Sequence, residues 1–302
     1  MKKIISTAFI LSIIATTGFS QGFYLRAGLG YAIPQAGQTL DGTATPYNGT
    51  LNATTNQYNI KSASFSAGLG GVLGVGYMFS EHVGVQLDGN LGLSAKQYTF
   101  TENNYDYGGV PSAVSITQQA RSPFILIPSL VIQSGGDKIN LYCRMGVALP
   151  LSTAINEDQV IDNEPGTGAA SDIDFNIHIK NSFSLGFAAA AGVRYNINDR
   201  VNVWGEINLL SLSVYIKETD VESFTYNGQP QSLSSLTGPL TTKYSKNVIA
   251  DSNGYNSPAY SQPFSNVGIN VGVSFNLSHG NSHSGKKHDD EDIDPNQPFR
   301  RR

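Results

Sequence analysis

Six charged residues of this 302-residue chain stand where charge is costly. Arg26, Asp88, Lys96, Arg144, Arg194 and Glu206 each fall on the polar face of a segment whose other face is apolar. Those polar faces otherwise carry Gly, Ser, Asn and Gln, among them Gln86, Asn90, Asn140, Asn202, Asn208 and Asn270. If the faces enclose a common interior, the charges on them must neutralise one another, because an ion taken out of water without a partner is strongly destabilising. The chemistry they predict is an internal salt-bridge network. Glu206 lies diagonally near Arg194 across the turn at Asn198-Asp199-Arg200, so these two are expected to pair. The same pairs suit a rigid plug or a gated narrow pore, and both readings stay open.

Other reactive residue types lead nowhere comparable. Of the histidines, His82 sits in a short turn, and His279, His283 and His288 sit in the C-terminal tail. Only His178, near Ser171, Asp172 and Asp174, invites a catalytic reading. A single His beside common loop residues lacks the nucleophile, base and orienting acid of a hydrolytic site, so no catalytic residue is expected. The tail mixes histidines with acids but shows no regular ligand spacing, so neither a metal nor a cofactor is expected. The single Cys143 has no intrachain disulfide partner and reads as a small apolar filler.

The segments that position the charges alternate with a period of two, the mark of strands. In the first, Phe23, Leu25, Ala27, Leu29, Tyr31 and Ile33 share a face opposite Tyr24, Arg26, Gly28 and Gly30. The second places Phe65, Ala67, Leu69, Leu73, Val75, Tyr77 and Phe79 opposite Ser64, Ser66 and four glycines. The same pattern recurs over Val83–Ser94, Ile139–Leu149, Phe183–Tyr195, Val201–Leu209 and Asn266–Phe275. A fourth segment, Phe124-Ile125-Leu126-Ile127, is apolar on both faces and flanked by Pro123 and Pro128, so it reads as a bulged strand of unassigned parity.

Short connections at Ser80-Glu81-His82, Ser134–Asp137 and Asn198–Arg200 alternate with long ones at 34–62, 101–118, 153–179 and 218–264. That alternation describes an up-and-down antiparallel barrel crossing a membrane. A polar face of Gly, Ser and Asn suits a narrow interior better than bulk water. Phe65 and Tyr77 share one outward face, as do Phe183 and Tyr195. At about 3.3 Å per residue and a tilt near 40° each pair spans roughly 30 Å, against an apolar band of about 25 Å between aromatic girdles.

Residues 1–20 carry Lys2-Lys3, an apolar run and small residues before Gln21, as a cleaved signal peptide does. The domain reading is therefore a signal peptide over 1–20, an all-β eight-stranded antiparallel transmembrane barrel over 21–277, and a disordered periplasmic tail over 278–302. Both termini are expected on the periplasmic side, and strand ends at Lys96–Thr101, Ser115–Arg121, Asp174–Lys180 and Ser211–Asp220 are expected to rise beyond the membrane on the extracellular side. Ten strands remain an alternative if 218–264 hides a hairpin. A net charge of −4 argues against nucleic acid as a partner.

The opening Gly22-Phe23-Tyr24-Leu25-Arg26-Ala27-Gly28-Leu29-Gly30-Tyr31, Ile127-Pro128, Trp204-Gly205-Glu206-Ile207-Asn208 and the closing Val271-Gly272-Val273-Ser274-Phe275-Asn276-Leu277 resemble the small OmpA/OmpX-type outer-membrane barrels, in the broad barrel-domain family of Bacteroidota. The resemblance spans 22–277, and the tail is far too short for a peptidoglycan-binding domain. It implies a Gram-negative outer membrane, contact with its lipid including lipopolysaccharide, the barrel-assembly machinery during biogenesis, and an extracellular partner of unstated kind. It further implies a non-enzymatic role in envelope structure or surface interaction, or alternatively a narrow channel for small or hydrophobic solutes in the manner of OmpW-like relatives.

Overall fold

The computed structural model describes residues 22–35, 50–52, 57–58, 62–107, 110–163, 171–248 and 255–277. The expected signal peptide and C-terminal tail lie outside them. Eight strands close a barrel: β1 (Gly22–Pro34), β2 (Gly68–Met78), β3 (Val83–Ala95), β4 (Phe124–Gln133), β5 (Ile139–Ser152), β6 (Gly186–Asn196), β7 (Val201–Ser211) and β8 (Asn266–Asn276). Each pairs antiparallel with its sequence neighbours, and β8 returns to β1 over Tyr24↔Asn276 to Pro34↔Asn266. Closure leaves no strand edge, which is what a sheet surrounded by lipid requires.

Three tight turns gather at one end. The β2–β3 turn is held by Phe79 N–H donating to Val83 O at 2.9 Å and by Ser80 Oγ, which accepts from the backbone of His82 and Val83. In the β6–β7 turn, Asn198 Oδ1 accepts from Arg200 and Val201 N–H. Gly135, at φ 74°, takes the left-handed conformation that the β4–β5 turn needs. This turn end also holds the start of β1 and the end of β8, where Leu277 N–H donates to Phe23 O.

At the opposite end the strands continue as a second, open sheet. Outer strands Tyr98–Tyr107 and Val110–Ala120 join β3 to β4, Ile155–Asn163 and Ser171–Asn181 join β5 to β6, and Ser213–Tyr226 with Thr241–Ser245 follow β7. The hairpins also pair with one another, 110–120 with 155–163 and 171–181 with 213–226. The long connections 101–118 and 153–179 are thus largely strand, and 218–264 is so in part, well beyond the short extensions expected. Their sequence looks like loop because neither face meets lipid, so the apolar half of the alternation fades. The region 218–264 does contribute further strands, Gln229–Pro230, Thr241–Ser245, Asn256–Pro258 and Ser261–Pro263, but none to the barrel, whose count stays at eight. On the outer sheet's solvent side Lys180 donates to Glu218 and Asp220 at 2.9 and 2.6 Å, which holds the Asp220 carboxyl below its ordinary range.

The outward face of the barrel is apolar and exposed. Leu25, Leu29, Leu73, Leu141, Val193, Ile207, Ile269 and Val271 form it, with Cys143 among them. Phe23, Tyr77 and Phe79 cluster at the turn end, with ring centroids 4.8 and 5.4 Å apart, and Tyr31, Phe183 and Tyr215 face outward toward the sheet end. Phe65 does not join that girdle. Alternation breaks before β2 begins at Gly68, whose φ is 118°, and the Phe65 side chain turns inward to full burial. The fourth segment is irregular as expected, with a register shift against β5 between Phe124 and Ile125, but its parity is definite: Ile125, Ile127, Ser129 and Val131 face in, and Leu126, Pro128, Leu130 and Ile132 face out. Pro128, lacking an N–H, sits where the β4–β5 ladder is interrupted between Leu126↔Leu149 and Ser129↔Gly146.

Glycines on the inward face make room for large partners. Gly74 pairs with Asp88, Gly192 with Glu206 and Gly272 with Trp204, and a Cβ at any of the three would collide with that partner. Gly205 faces the other way, with no atom nearer than 3.9 Å to a Cβ placed there. Urea titration of protein refolded into phospholipid vesicles should show Gly74→Val losing at least about 2 kcal/mol from overpacking, and Gly205→Val changing stability by less than roughly 0.5 kcal/mol.

Candidate functional site

Four of the predicted charges meet at one level inside the barrel. Arg26 comes from β1, Asp88 from β3, Arg144 from β5 and Glu206 from β7, one from every second strand around the wall. These strands all run from the turn end to the sheet end. Asp88, Arg144 and Glu206 each stand five residues past the first residue of their strand, and Arg26 four. Charges alternate in sign around the ring. Arg26 Nη2 lies 3.2 Å from Glu206 Oε2, and its Nε lies 3.8 Å from Asp88 Oδ1. Arg144 Nη1 lies 3.2 Å from Asp88 Oδ2, and Arg144 holds Glu206 through both oxygens, Nη2 to Oε1 at 2.7 Å and Nε to Oε2 at 3.2 Å. The fork-to-carboxylate geometry of that last contact is the strongest of the set.

Neutral donors complete the carboxylates. Tyr142 donates its hydroxyl to Glu206 at 2.9 Å, Asn270 donates Nδ2 at 3.1 Å, and Gln86 donates Nε2 to Asp88 at 2.6 Å while accepting from the Tyr24 hydroxyl. The Arg26 guanidinium stacks 3.7 Å from the centroid of the Trp204 ring. All four charged side chains are at most 3% exposed. Two arginines and two carboxylates at such burial make a set with no net charge, the condition under which buried ions are tolerable.

Two expected members are placed otherwise. Arg194 points inward as predicted but does not pair with Glu206. Its guanidinium lies over the rings of Tyr24 and Tyr142, 5.1 and 5.4 Å from their centroids, and it donates Nη1 to Gln133 Oε1 at 3.0 Å. Across β6–β7 Arg194 pairs with Trp204 and Glu206 with Gly192, so the bare glycine leaves Glu206 free to reach over the lumen to β5. Lys96 leaves the lumen altogether and is exposed, its Nζ 5.6 Å from the Tyr98 ring centroid. The register steps from Leu69↔Ser94 to Gly70↔Gly92, leaving Leu93 as an extra residue, and this bulge inverts the parity of everything after it in β3. Ser94, expected inward, is exposed for the same reason.

Above the ring the lumen closes a second time. Phe65, Ile125, Ile127, Ile155, Ile179, Leu210, Leu212 and Phe264 form an apolar core that fills the passage from barrel to outer sheet. Phe65 and Phe264 lie 5.8 Å apart, both fully buried. Between ring and core is a cavity of about 70 Å³, bordered by Arg144, Asn90, Asn208 and Asn270 on one side and by Ile125 and Leu210 on the other. Sequence reasoning identified the inward face but not the core, because Phe65, Leu212 and Phe264 lie just outside the strands, where alternation no longer applies.

The remaining candidates stay apart from this site. His178 Nδ1 lies 3.4 Å from Asn156 Oδ1, and Asp174 accepts from Thr225. No group of three or more metal-ligating side chains occurs among the described residues. The tail histidines are not among them.

The sequence profile of the outer membrane protein beta-barrel domain family matches residues 6–229. The chain belongs to that family. This outer-membrane barrel is similar in structure to the outer membrane protein OprG from Pseudomonas aeruginosa, at 12% identity and a TM-score of 0.41 over 85% of this chain and 96% of that one. Neisserial surface protein A is similar at 11% identity and a TM-score of 0.32, covering 85% of this chain and 99% of that one. Ail, the attachment invasion locus protein of Yersinia pestis, is similar at 8% identity and a TM-score of 0.28, covering 85% and 96%. No curated protein matches the sequence. For this barrel, Arg144→Met should cost about 3–5 kcal/mol in lipid-refolded protein, since it leaves two buried carboxylates to one arginine. Arg194→Met, losing a cation–π stack and one hydrogen bond, should cost roughly 1–2 kcal/mol in the same urea titration.

Proposed function

We propose that the protein is a non-enzymatic outer-membrane barrel that seals its own lumen and carries its outer sheet on the extracellular side, serving envelope structure or surface interaction. The observation that carries this reading is the double closure. The ring of Arg26, Asp88, Arg144 and Glu206 spans the lumen near mid-barrel, and the apolar core around Phe65 and Phe264 fills it again beyond. An ion crossing the barrel would have to displace paired charges and then shed its water against isoleucines and phenylalanines, both costly. In this reading the turn end and both termini are periplasmic, as short turns are in barrels of this kind. The outward apolar band meets outer-membrane lipid, lipopolysaccharide included, and the barrel-assembly machinery inserts the chain. Long outer strands on a rigid scaffold then offer recognition surface to an extracellular partner.

A second reading, a narrow channel for small or hydrophobic solutes, is favoured by the cavity between the two seals. Single-channel recording in planar bilayers separates the two. The sealed barrel is silent, and it stays silent in Glu206→Ala because the apolar core still blocks the path. Reproducible wild-type openings that vanish in Glu206→Ala would establish the channel instead.

A further inference from the structure

One row of inward-facing residues crosses the outer sheet just past the apolar core. Tyr98, Gln118, Glu157 and Ile177 are successive cross-strand partners. The neighbouring inward row, Ala120, Ile155 and Ile179, belongs to the core itself. Gln118 donates Nε2 to the Glu157 carboxylate. The same Gln118 side chain is only 6% exposed, and its Oε1 has no hydrogen-bond partner. Among the described residues no Lys, Arg or His forms an ion pair with Glu157, whereas Glu218 and Asp220 on the sheet's solvent side share Lys180. Burial pushes the Glu157 carboxyl up, the Gln118 hydrogen bond opposes this, and the neighbouring Asp158 charge adds to it.

A buried amide oxygen without a donor therefore stands beside a carboxylate that accepts from Gln118 and has no cationic partner among the described residues. Aromatic surface borders the pair: Tyr98 on the adjacent strand, and Tyr244, whose hydroxyl is pushed up chiefly by burial and in smaller part by the Glu157 charge, and whose ring packs edge-on to Tyr260 at 5.7 Å. We propose that Gln118 and Glu157 form a binding site for a guanidinium group on the inward face of the outer sheet. A planar fork of N–H donors reaches both oxygens of a carboxylate and, from the same plane, an adjacent amide oxygen. It also stacks on aromatic rings, whereas an ammonium concentrates its charge at one point. The guanidinium is that of a small free guanidine or of an arginine side chain on an extracellular peptide. Access from outside the cell rests on the orientation proposed above; the site's chemistry does not.

The test is isothermal titration calorimetry on the full chain refolded in detergent micelles, where both ends are accessible. The probes are methylguanidinium and an end-blocked Gly-Gly-Arg-Gly peptide, with the lysine peptide for comparison. Saturable binding of either guanidine is expected, at least about tenfold tighter than the lysine peptide and weakened roughly tenfold or more by Glu157→Gln, which keeps the shape and the Gln118 contact. Gln118→Leu, a second variant, should weaken it several-fold. Equal binding of both guanidines identifies a free small molecule as sufficient, and binding of the peptide alone identifies a chain-borne arginine; each supports the site. Absence of saturable heat from both up to about 10 mM, or affinity unchanged in a folded Glu157→Gln barrel, overturns it. Such a failure leaves the sealed-barrel reading standing, because that reading falls only on conductance.

Discussion

A charge that points into an eight-stranded barrel has nowhere to go. The interior of such a barrel is about filled by its own side chains, so water cannot solvate the ion and only another side chain can. In this protein the constraint is met by placing opposite charges at one height on every second strand. Arg26, Asp88, Arg144 and Glu206 each touch two of opposite sign. No pair within a single hairpin could do this. The closed wall brings β1, β3, β5 and β7 to face one another across the lumen, and each side chain is long enough to reach toward the centre.

Much else follows from that ring. Its carboxylates require further donors: Gln86 supplies Asp88 from the same strand, and Tyr142 from β5 and Asn270 from β8 supply Glu206. Side chains of this size need bare backbone opposite, and the inward glycines Gly74, Gly192 and Gly272 provide it. A polar lumen sealed at mid-height then passes, through one cavity, into the apolar core about Phe65 and Phe264. Beyond the core the strands continue into an open sheet, freed from the need to alternate between lipid and lumen. There the inward face holds Gln118 and Glu157, polar groups with no cation to pair with among the described residues.

How far the sequence speaks depends on where alternation holds. Parity alone places Arg26, Asp88, Arg144, Arg194 and Glu206 inside, since every inward position of a regular strand follows from any one of them. It does not choose partners. Arg194 is diagonal to Glu206 on the adjacent strand, yet it lies nearer the turn end, where Tyr24, Tyr142 and Gln133 receive it. Glu206 reaches instead to residues 62 positions earlier, at Arg144. The equal offset of Asp88, Arg144 and Glu206 from their strand starts was a readable signal of a common level, visible once strand boundaries are known. Lys96 and Phe65 escape parity for local reasons, a bulge at Leu93 and a left-handed Gly68, neither of which an alternating pattern announces. The outer sheet was legible only at its roots, because strands that meet neither lipid nor a tight core carry no periodic apolar face.

The claim that these four charges act as one unit is tested most directly by a double-mutant cycle. Stabilities of wild type, Arg144→Ala, Glu206→Ala and the double variant would be measured by urea titration in phospholipid vesicles. If the ring is the coupled structure described, removing both residues costs less than the separate losses added together, by about 1–3 kcal/mol, because each single change strands a buried charge that the other had satisfied. Losses that add to within about 0.5 kcal/mol would contradict it, and would mean that the two charges sit in the lumen without depending on each other.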